Sequence, residues 1–385
     1  MKKNLKNINF FLLFFMIAYS IIGLIMILSA SSIAAVLRYQ KPSNYFFIKQ
    51  AISLVLGYAV GFILILNMPT KNYRYVSRIS MYIMLALLAL VLVLGVMRGG
   101  AKGWYRVGKF NFQPVEFMKT VLIIYMAGYY NKTVSNRNAK FIQVMWPIAL
   151  IIIAFVLVAM QPDFGGAFII AFIAGLIFFS VPLAKKQKKL ILKYGSYALV
   201  LLVFVLLLFG KSLLHSYQAS RFNFLNPCTR YSEESGYQVC NSYIAIHNGG
   251  LWGVGLGNST QKYLYLPEAH TDFIFAIIVE ELGLVFGIFI VIGYFGILFV
   301  ILMIAKDSTC LRNSILCYGV FAYLFAHIAI NLLGILGLIP LTGVPLPFLS
   351  YGGSYTLNLI PALFIVQRVN IENNLEAEKN KIKNL

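Results

Sequence analysis

The sequence predicts an all-α membrane protein with ten transmembrane helices, a long outer loop between the seventh and eighth helices, and both termini in the cytoplasm. The 385 residues are 60% hydrophobic and only 11% charged, a composition that excludes a set of soluble domains. Apolar runs of about twenty residues, which cross about 30 Å of hydrocarbon, recur along the chain. Basic residues also concentrate in alternate connections, as the positive-inside rule requires.

The ten apolar runs cover almost the whole chain. In order they are 10–32, 46–66, 76–96, 114–131, 141–160, 164–183, 190–211, 273–305, 313–338 and 353–370. The first run is too long for a signal peptide and lacks a small-residue cleavage site, so we expect it to remain as a helix. Residues 1–370 are expected to form one membrane domain, and residues 371–385 a mobile cytoplasmic tail.

The basic residues set the orientation and bear on partners. With the N-terminus in the cytoplasm, the inner connections and their flanks hold most of the 32 basic residues, including the run "KKQKK". The net charge of +20 is spread over helix ends and forms no basic domain interleaved with aromatic residues. We therefore expect contact with anionic lipid and no nucleic-acid partner.

Three segments on the predicted outer side are long enough to carry function. Residues 97–113 form a basic, Gly-rich, hairpin-like loop. Residues 212–272, the long loop, contain glycines alternating with apolar residues over 249–257, which predicts a loop folded onto the helices. Residues 339–354 contain three prolines, and irregular backbone at membrane depth must be buried in protein or line a wet cavity. We expect this last segment to re-enter the bundle.

Two cysteines of the long loop, Cys228 and Cys240, are candidates for a disulfide. An oxidising outer compartment permits such a bridge, and the alternative is two unpaired thiols.

The stretch "LPEAHTDFIFAIIVEELG" gathers ionisable groups where the long loop meets the eighth helix. Asp272 could cap that helix. With Glu268 and His270 beside it, Asp272 could equally act as a base, because a carboxylate at an apolar boundary is a stronger proton acceptor. Glu280 and Glu281 follow about two turns further along a straight helix, and we expect at least one of them to stabilise the bundle.

Several further polar residues carry two interpretations. Glu116 and Lys119 form an i, i+3 pair that could be a neutralised structural bridge or a substrate-facing site. His327 has no partner at metal spacing and is interpreted as a histidine buried in the bundle. The "GLVFG" motif at 283–287 is interpreted as a helix contact.

Several uncommon motifs occur together in one order. They are "GAKGW" (100–104), "FQPVEFMK" (112–119), "QPDFGG" (161–166), "NGGLWGVGLG" (248–257), "YLPEAHTDFIFAIIVEELG" (265–283) and "PLTGVPLPFLSYGGS" (340–354). In these motifs the chain resembles the SEDS family (shape, elongation, division and sporulation), the ten-helix peptidoglycan polymerases of bacteria. The sequence around Asp272 is more similar to the division members than to the elongation members.

The resemblance implies glycosyl transfer onto lipid II at the outer membrane surface, with Asp272 as the general base and inversion at the anomeric carbon. It implies a cationic clamp on the diphosphate from Lys102, Arg106, Lys119 or Arg221, and a divalent cation, Mg or Mn, that assists. Further candidates for substrate contact are Glu116, Glu268, His270, Ser350, Tyr351, Gly352, Gly353 and Ser354. The family often has two arginines before the tryptophan, where this chain has Lys102 and Gly103.

The resemblance also implies partners and a location. The expected partner is a class B penicillin-binding protein, a transpeptidase whose membrane helix packs on the eighth and ninth helices, together with other divisome proteins. The expected location is the bacterial cytoplasmic membrane at the division septum.

Three alternatives remain open: a lipid II flippase or transporter, the cell-elongation polymerase, and a scaffold without catalysis. Transport normally uses polar groups near the bilayer midplane, and the apolar runs carry few. The polymerase is therefore favoured over the transporter.

Overall fold

The structure is a computed structural model that describes residues 6–98, 101–108, 110–135, 140–184, 186–191, 193–197 and 226–383. Most of it consists of helices packed side by side. In chain order the main helices are α1 (Phe10–Leu37), α2 (Tyr45–Val60, continued by a π-helical turn at Gly61–Ile65), α3 (Tyr73–Leu94, preceded by a 3-10 turn at Thr70–Asn72), α4 (Pro114–Ser135), α5 (Phe141–Ala159), α6 (Phe164–Ser180), α7 (Glu234–Gly249), α8 (Ile274–Lys306), α9 (Leu311–Ile335) and α10 (Gly353–Lys383).

The helices agree with the predicted apolar runs in position. Helices lie at every predicted run that the structure describes in full; the seventh run, 190–211, falls largely outside the described residues. Six of the described helices are long and apolar enough to cross a membrane, namely Phe10–Leu37, Tyr45–Ile65, Thr70–Leu94, Phe141–Ala159, Ile274–Lys306 and Leu311–Ile335. The apolar helix α6 is shorter, with 17 residues. The count of ten transmembrane helices stays a prediction.

Side chains cap the first turns of α1 and α6. The Asn9 side chain accepts a hydrogen bond of 3.0 Å from Leu12 N at the start of α1, and Asp163 accepts one of 2.8 Å from Gly166 N at the start of α6. Each bond satisfies a backbone amide that has no partner within its own helix.

Helix α9 lies at the centre of the bundle. Its most apolar stretch is 72% buried, against 44% or less in the other five long apolar helices. It packs against α4, α6, α8 and α10, so its polar side chains are positioned among several helices at once.

Helix α10 extends beyond the predicted end of the membrane domain. Residues 371–383, expected to be a mobile tail, continue the helix. The Glu372 carboxylate accepts hydrogen bonds from Thr70 N at 2.8 Å, Asn313 Nδ2 at 3.0 Å and Arg368 Nε at 3.1 Å. These bonds anchor the first turn of the predicted tail to the ends of two other helices, so residue 370 marks no structural boundary.

The loop at 97–113 contains a three-stranded antiparallel sheet, in the order β1 (Val96–Arg98), β2 (Ala101–Val107) and β3 (Phe110–Phe112). The Tyr105 hydroxyl donates a hydrogen bond of 2.9 Å to Leu87 O of α3. The sheet, called the hairpin below, is therefore attached to the helices.

The described part of the long loop is folded onto the bundle. Cys228 and Cys240 are joined by a disulfide, which ties the chain before α7 to α7 itself. Ser242 Oγ donates to Ile335 O at 3.0 Å, and Tyr243 OH donates to Leu336 O at 2.7 Å, so α7 rests on the end of α9.

Residues 339–354, the re-entrant segment, reach the interior of the bundle between α9 and α10. A Cβ placed on Gly23, in the middle of α1, would lie 2.2 Å from Phe348 O. The Tyr294 hydroxyl of α8 donates a hydrogen bond to Pro347 O. The polar backbone at Pro347 and Phe348 is therefore surrounded by protein, as irregular backbone inside a membrane protein requires.

Candidate functional site

Helix α8 is broken at Gly283, where φ is 88° and ψ is 162°. In a straight helix Phe275 and Gly287 would lie about 18 Å apart along the axis, but a Cβ on Gly287 would lie 3.3 Å from the Phe275 ring. Residues 274–282 thus fold back towards 284–306. The interpretation of "GLVFG" as a plain helix contact was incomplete, since its first glycine ends one helical segment and begins another.

The long loop fills the break in α8 with backbone hydrogen bonds. Leu284 N donates to Gly250 O at 3.0 Å, and Val254 N donates to Glu280 O at 2.9 Å. Two further hydrogen bonds join the same segments: Val285 N donates to Leu251 O at 3.2 Å, and Gly255 N donates to Glu281 O at 2.9 Å. The amides and carbonyls that lose their helical partners at the break are satisfied by the glycine-rich strip 250–255.

Glu280 holds the next part of the same loop. Its carboxylate accepts hydrogen bonds from Thr260 N at 3.1 Å, from Thr260 Oγ1 at 2.8 Å and from the Ser259 hydroxyl. The side chain is 0% exposed. Glu280 therefore serves as an acceptor that fixes residues 259 and 260 on α8.

Glu281 forms a buried ion pair. Lys262 Nζ lies 2.9 Å from Glu281 Oε1, and both side chains are buried. The Ser29 hydroxyl of α1 donates to the same carboxylate at 2.7 Å, and Lys262 also donates to Gly257 O at 2.6 Å. Both glutamates therefore stabilise the bundle, and they lie in the segment 274–282, just before the break at Gly283.

Asp272 lies between the long loop and α8 and is half-buried. Its backbone carbonyl accepts a hydrogen bond of 2.8 Å from Asn331 Nδ2 of α9, and the same amide donates to Val344 O at 2.9 Å. A Cβ on Gly343 would lie 3.3 Å from Asp272 Oδ2, so the carboxylate faces the re-entrant segment. The N-cap of α8 is Phe273, which makes no side-chain capping bond, so Asp272 is not the helix cap that the alternative interpretation required.

The residues before Asp272 are attached to the re-entrant segment. Ser350 Oγ donates to Thr271 O at 2.6 Å, and Tyr351 N donates to His270 O at 2.9 Å. Ser350 is 1% exposed. The structure therefore brings Ser350 and Tyr351 beside the acidic stretch, and the Ser350 hydroxyl is engaged with backbone groups on both sides.

His270 and Glu268 have different environments. The His270 ring packs 4.4 Å from the Phe46 ring and 5.7 Å from the Tyr351 ring, between centroids. Burial lowers the pKa of His270 to about 4, more than the Glu268 carboxylate raises it. The ring is therefore neutral at pH 7, and its burial argues against the predicted substrate contact. Glu268 Oε1 lies 3.5 Å from an Arg38 nitrogen, and this pair is partly exposed.

Gln50 of α2 was missed in the sequence. It is 0% exposed, accepts a hydrogen bond of 3.1 Å from Gly352 N, and donates to Thr356 Oγ1 at 2.9 Å. The signal was present as a lone amide inside an apolar run. Gln50 fixes the backbone of "SYGGS", which includes the candidate residues Gly352 and Gly353.

Ser354 links the re-entrant segment to the hairpin. Its hydroxyl donates to Asn111 O at 2.7 Å and accepts from Gln113 N at 3.2 Å. Because Ser354 is 6% exposed and both bonds are to backbone, its role is to join the two segments. Contact of its side chain with substrate stays a prediction.

Glu116 and Lys119 form the structural bridge and not the substrate-facing pair. They are 5% and 1% exposed, and Lys119 Nζ lies 2.8 Å from Glu116 Oε1. Lys119 Nζ also lies 3.1 Å from His327 Nε2. An ammonium group can only donate, so Nε2 accepts and Nδ1 donates to Pro345 O at 3.1 Å. Through the bond to Pro345 O the cluster fixes the re-entrant segment to α4 and α9. Neither charge of the cluster reaches the surface.

The other predicted cations lie elsewhere. Lys102 Nζ donates to Val93 O at 3.2 Å, which turns it towards the end of α3. Alternation along β2 puts Arg106, which is exposed, on the same face as Lys102. Arg221 lies outside the described residues. In the described part of the chain no three His, Cys, Asp or Glu side chains come together to hold a metal ion.

The site therefore combines the half-buried carboxylate of Asp272 with a wall of irregular backbone from the re-entrant segment. Helix α9, helix α2 and the long loop each hold part of this wall by hydrogen bonds. A carboxylate of this kind can accept a proton from a hydroxyl that approaches over the re-entrant segment. The contacts of Asn331 and Gly343 were not visible in the sequence, because they join residues far apart in the chain.

Comparison with known proteins gives consistent results. The family model for the cell cycle proteins FtsW, RodA and SpoVE matches residues 9–375. The chain is 38% identical over 377 residues to the probable peptidoglycan glycosyltransferase FtsW of Bacillus subtilis (strain 168), covering 96% of this chain and 92% of that protein. It is similar to a solved chain of a peptidoglycan synthase complex, with a TM-score of 0.74, 25% identity, and coverage of 95% and 98%. Its fold is also similar to that of the rod shape determining protein RodA of Thermus thermophilus, with a TM-score of 0.66, 24% identity, and coverage of 94% and 96%.

Proposed function

Because the chain belongs to the FtsW, RodA and SpoVE family of cell cycle proteins, we propose that it is a peptidoglycan glycosyltransferase that polymerises lipid II. The observation that carries the proposal is the 38% identity, over 96% of the chain, with a relative named as a probable peptidoglycan glycosyltransferase. The half-buried position of Asp272 against the re-entrant segment supports it.

In the proposed mechanism Asp272 is the general base. Its carboxylate removes the proton from the 4-hydroxyl of the acceptor sugar as the oxygen attacks the anomeric carbon of the donor. The bond between that carbon and the diphosphate oxygen breaks, and the electron pair leaves with the polyprenyl diphosphate. Attack and departure occur on opposite faces, so the configuration inverts. Asp272 then returns its proton to water.

One carboxylate is sufficient for this chemistry. The leaving diphosphate is already acidic and needs neutralisation of its charge, not protonation, so the second carboxyl group typical of a glycosidase is unnecessary. Glu268 is close in sequence but is engaged with Arg38. We therefore assign Glu268 no part in the proton transfer.

The cations that neutralise the diphosphate are proposed to come from the hairpin and the long loop. Lys102, Arg106 and Arg221 remain candidates, whereas the burial of Lys119 removes it from the set. Guanidinium groups bind phosphate oxygens in a bidentate manner. Arg106, which is exposed, is accordingly the first of the described residues to test.

We propose that both termini are cytoplasmic and that the long loop faces outward, as the distribution of basic residues favours. Because the 38% identical relative is an FtsW, we assign the chain to septal synthesis and not to elongation. Depletion should then give filamentous cells, whereas depletion of an elongation polymerase should give rounded ones.

The proposed partner is a class B penicillin-binding protein that packs on α8 and α9. Support comes from the similarity to a chain of a peptidoglycan synthase complex and from an exposed aromatic face on α8. Phe295 and Phe299 on that face are 62% and 63% exposed. Phe295→Ala should reduce co-purification of the partner, whereas Phe168→Ala, at a side chain on α6 that is 56% exposed, should not.

Polymerisation of purified lipid II tests the function. Wild type, alone or with its partner, should produce glycan strands. Asp272→Asn should lower the rate by about 10²–10⁴-fold, the usual contribution of a general base. The matched variant Glu268→Gln should keep most of the activity. Undiminished strands from Asp272→Asn would refute the assignment of the base.

A transporter of the same lipid-linked precursor is the second candidate. The buried cluster of Glu116, Lys119 and His327 favours it, because transport uses polar groups inside the bundle. Wild type that makes no strands, yet moves lipid II across vesicles in a manner abolished by Lys119→Met, would establish the transporter in place of the polymerase.

A further inference from the structure

A cavity of 430 Å³ opens on the side of the bundle between α3, α4 and α5. It lies at the first turns of α3 and α5 and the last turns of α4. In the proposed orientation these are the cytoplasmic ends of the helices, far from Asp272. Its polar lining includes Arg78 and the side chains of Tyr82, Tyr125 and Tyr129, and its apolar lining includes Ile142 and Trp146.

The cavity is lined by one exposed cation, Arg78, and three tyrosines. Arg78 interacts electrostatically with Tyr125 and Tyr129. In the described part of the chain none of the ion pairs involves Arg78. A guanidinium outside any ion pair, with the hydroxyls of Tyr82 and Tyr125 in the same lining, matches the geometry and charge of a phosphate group.

Hydrogen bonds between α4 and α5 hold the polar wall of the cavity in place. The Tyr129 hydroxyl donates to Gln143 O at 2.8 Å, and the neighbouring Tyr130 hydroxyl donates to Val144 O at 3.1 Å. The Tyr125 hydroxyl has a side-chain hydrogen bond with Trp146. These bonds tie α4 to the first turn of α5, so the cavity is formed before any ligand enters.

The opposite wall is apolar and faces the surroundings. Ile142 is 67% exposed and Trp146 is 45% exposed. Tryptophan and tyrosine side chains prefer the headgroup level of a membrane, where an apolar body and a polar tip are both satisfied. Lys71, Arg74 and Lys140 lie at the same helix ends and add positive charge around the opening, which favours the anionic lipids of the cytoplasmic leaflet.

We propose that this cavity binds an anionic glycerophospholipid of the cytoplasmic leaflet. Its phosphate lies on Arg78 and the hydroxyls of Tyr82 and Tyr125, and one acyl chain lies along Ile142 and Trp146. The cavity accommodates a glycerophosphate head, while the acyl chains stay in the bilayer. The disaccharide-pentapeptide of lipid II is too large to enter, so the site is separate from the proposed catalytic centre.

Equilibrium binding of a fluorescent phosphatidylglycerol to the full chain in detergent tests the proposal. Arg78→Gln should weaken binding about tenfold or more, because it removes the charge-assisted hydrogen bonds to the phosphate. Arg74→Gln is the matched control. Arg74 is on the same helix, lies over the Tyr75 ring at 4.7 Å and is outside the lining; its loss should change binding less than twofold.

Further measurements separate recognition of a whole anionic lipid from attraction to its phosphate or its acyl chains alone. Ile142→Trp should block the entrance and weaken binding about tenfold with Arg78 intact, which keeps the test valid if Arg78→Gln unfolds. Phosphatidylcholine should bind at least tenfold more weakly, and millimolar inorganic phosphate should not compete. Equal binding of the neutral lipid, full competition by phosphate, displacement by undecaprenyl diphosphate, or equal losses from Arg74→Gln and Arg78→Gln would each overturn the proposal.

Asp272→Asn should bind the lipid normally, so failure of the lipid-binding proposal is distinguishable from failure of the proposed catalysis.

Discussion

The acidic stretch contains two kinds of carboxylate. Glu280 and Glu281 are 0% and 1% exposed, and each of their four oxygens accepts at least one hydrogen bond. Asp272 is half-buried, and it is its backbone carbonyl that Asn331 holds. The two kinds differ in burial: the carboxylates that stabilise the fold are enclosed by protein, whereas Asp272, which we propose as the base, keeps a partly exposed side chain.

Glu281→Gln should cause the largest loss of stability. It leaves the Lys262 ammonium buried without its counter-charge, and breaking a buried ion pair costs about 3–5 kcal/mol. Thermal unfolding in detergent measures the loss. The double variant Glu281→Gln, Lys262→Met should recover at least half of it, because no buried charge remains. A loss that persists in full in the double variant would show that the pair is not the cause.

Gly283→Ala should be the next most damaging change. The new Cβ would lie 2.3 Å from Leu251 O at a φ of 88°, so steric overlap and backbone strain add to about 2–4 kcal/mol. Gly257→Ala separates the two causes, since Gly257 has a φ of 86° but nothing within 4 Å of its Cβ. If both variants lose the same stability, backbone strain alone accounts for the effect and the close contact of the long loop is unimportant.

His270 predicts a pH dependence. Its folded pKa of about 4 lies below the ordinary value of about 6.5, so the unfolded chain takes up a proton between these values and the folded chain does not. The contribution is complete above pH 6.5 and is lost as pH falls towards 4, by at most about 3 kcal/mol. Unfolding temperatures of wild type and His270→Phe should diverge in that window. Parallel curves would contradict the assigned pKa.

Arg38→Gln should have the smallest effect. Arg38 and Glu268 form an ion pair whose side chains are 52% and 37% exposed, and exposed pairs contribute about 0–1 kcal/mol. The unfolding temperature in detergent should hardly change. A loss as large as that of Glu281→Gln would mean that exposure does not separate the two classes of carboxylate.

The sequence was sufficient for the positions of the described helices and for the gathering of ionisable groups at the end of the long loop. Run length and apolarity are local properties, so they predicted the positions of α1 to α6 and α8 to α10. The charge contrast of Asp272 with its apolar surroundings is also local. The placement of the re-entrant segment followed from its prolines, because such backbone needs burial inside protein.

The rest depends on contacts between distant parts of the chain. Nothing within the sequence of α4 indicated that Lys119 would meet His327, 208 residues away, and so lie buried. Gly283 resembled a packing glycine because the loop backbone that fills its break is about thirty residues earlier. The saturation of Glu280 by residues 259 and 260 was hidden for the same reason.

The most direct test compares Asp272→Asn with Glu281→Gln in one set of preparations, measuring thermal unfolding and lipid II polymerisation together. Asp272→Asn should unfold within about 2 °C of wild type, as a change below 1 kcal/mol implies, while polymerisation falls by about 10²-fold or more. Glu281→Gln should unfold at a much lower temperature and retain polymerisation in proportion to the folded fraction. A stable Asp272→Asn that polymerises like wild type, or a Glu281→Gln that stays fully stable but is inactive, would contradict the division of roles between the two carboxylates.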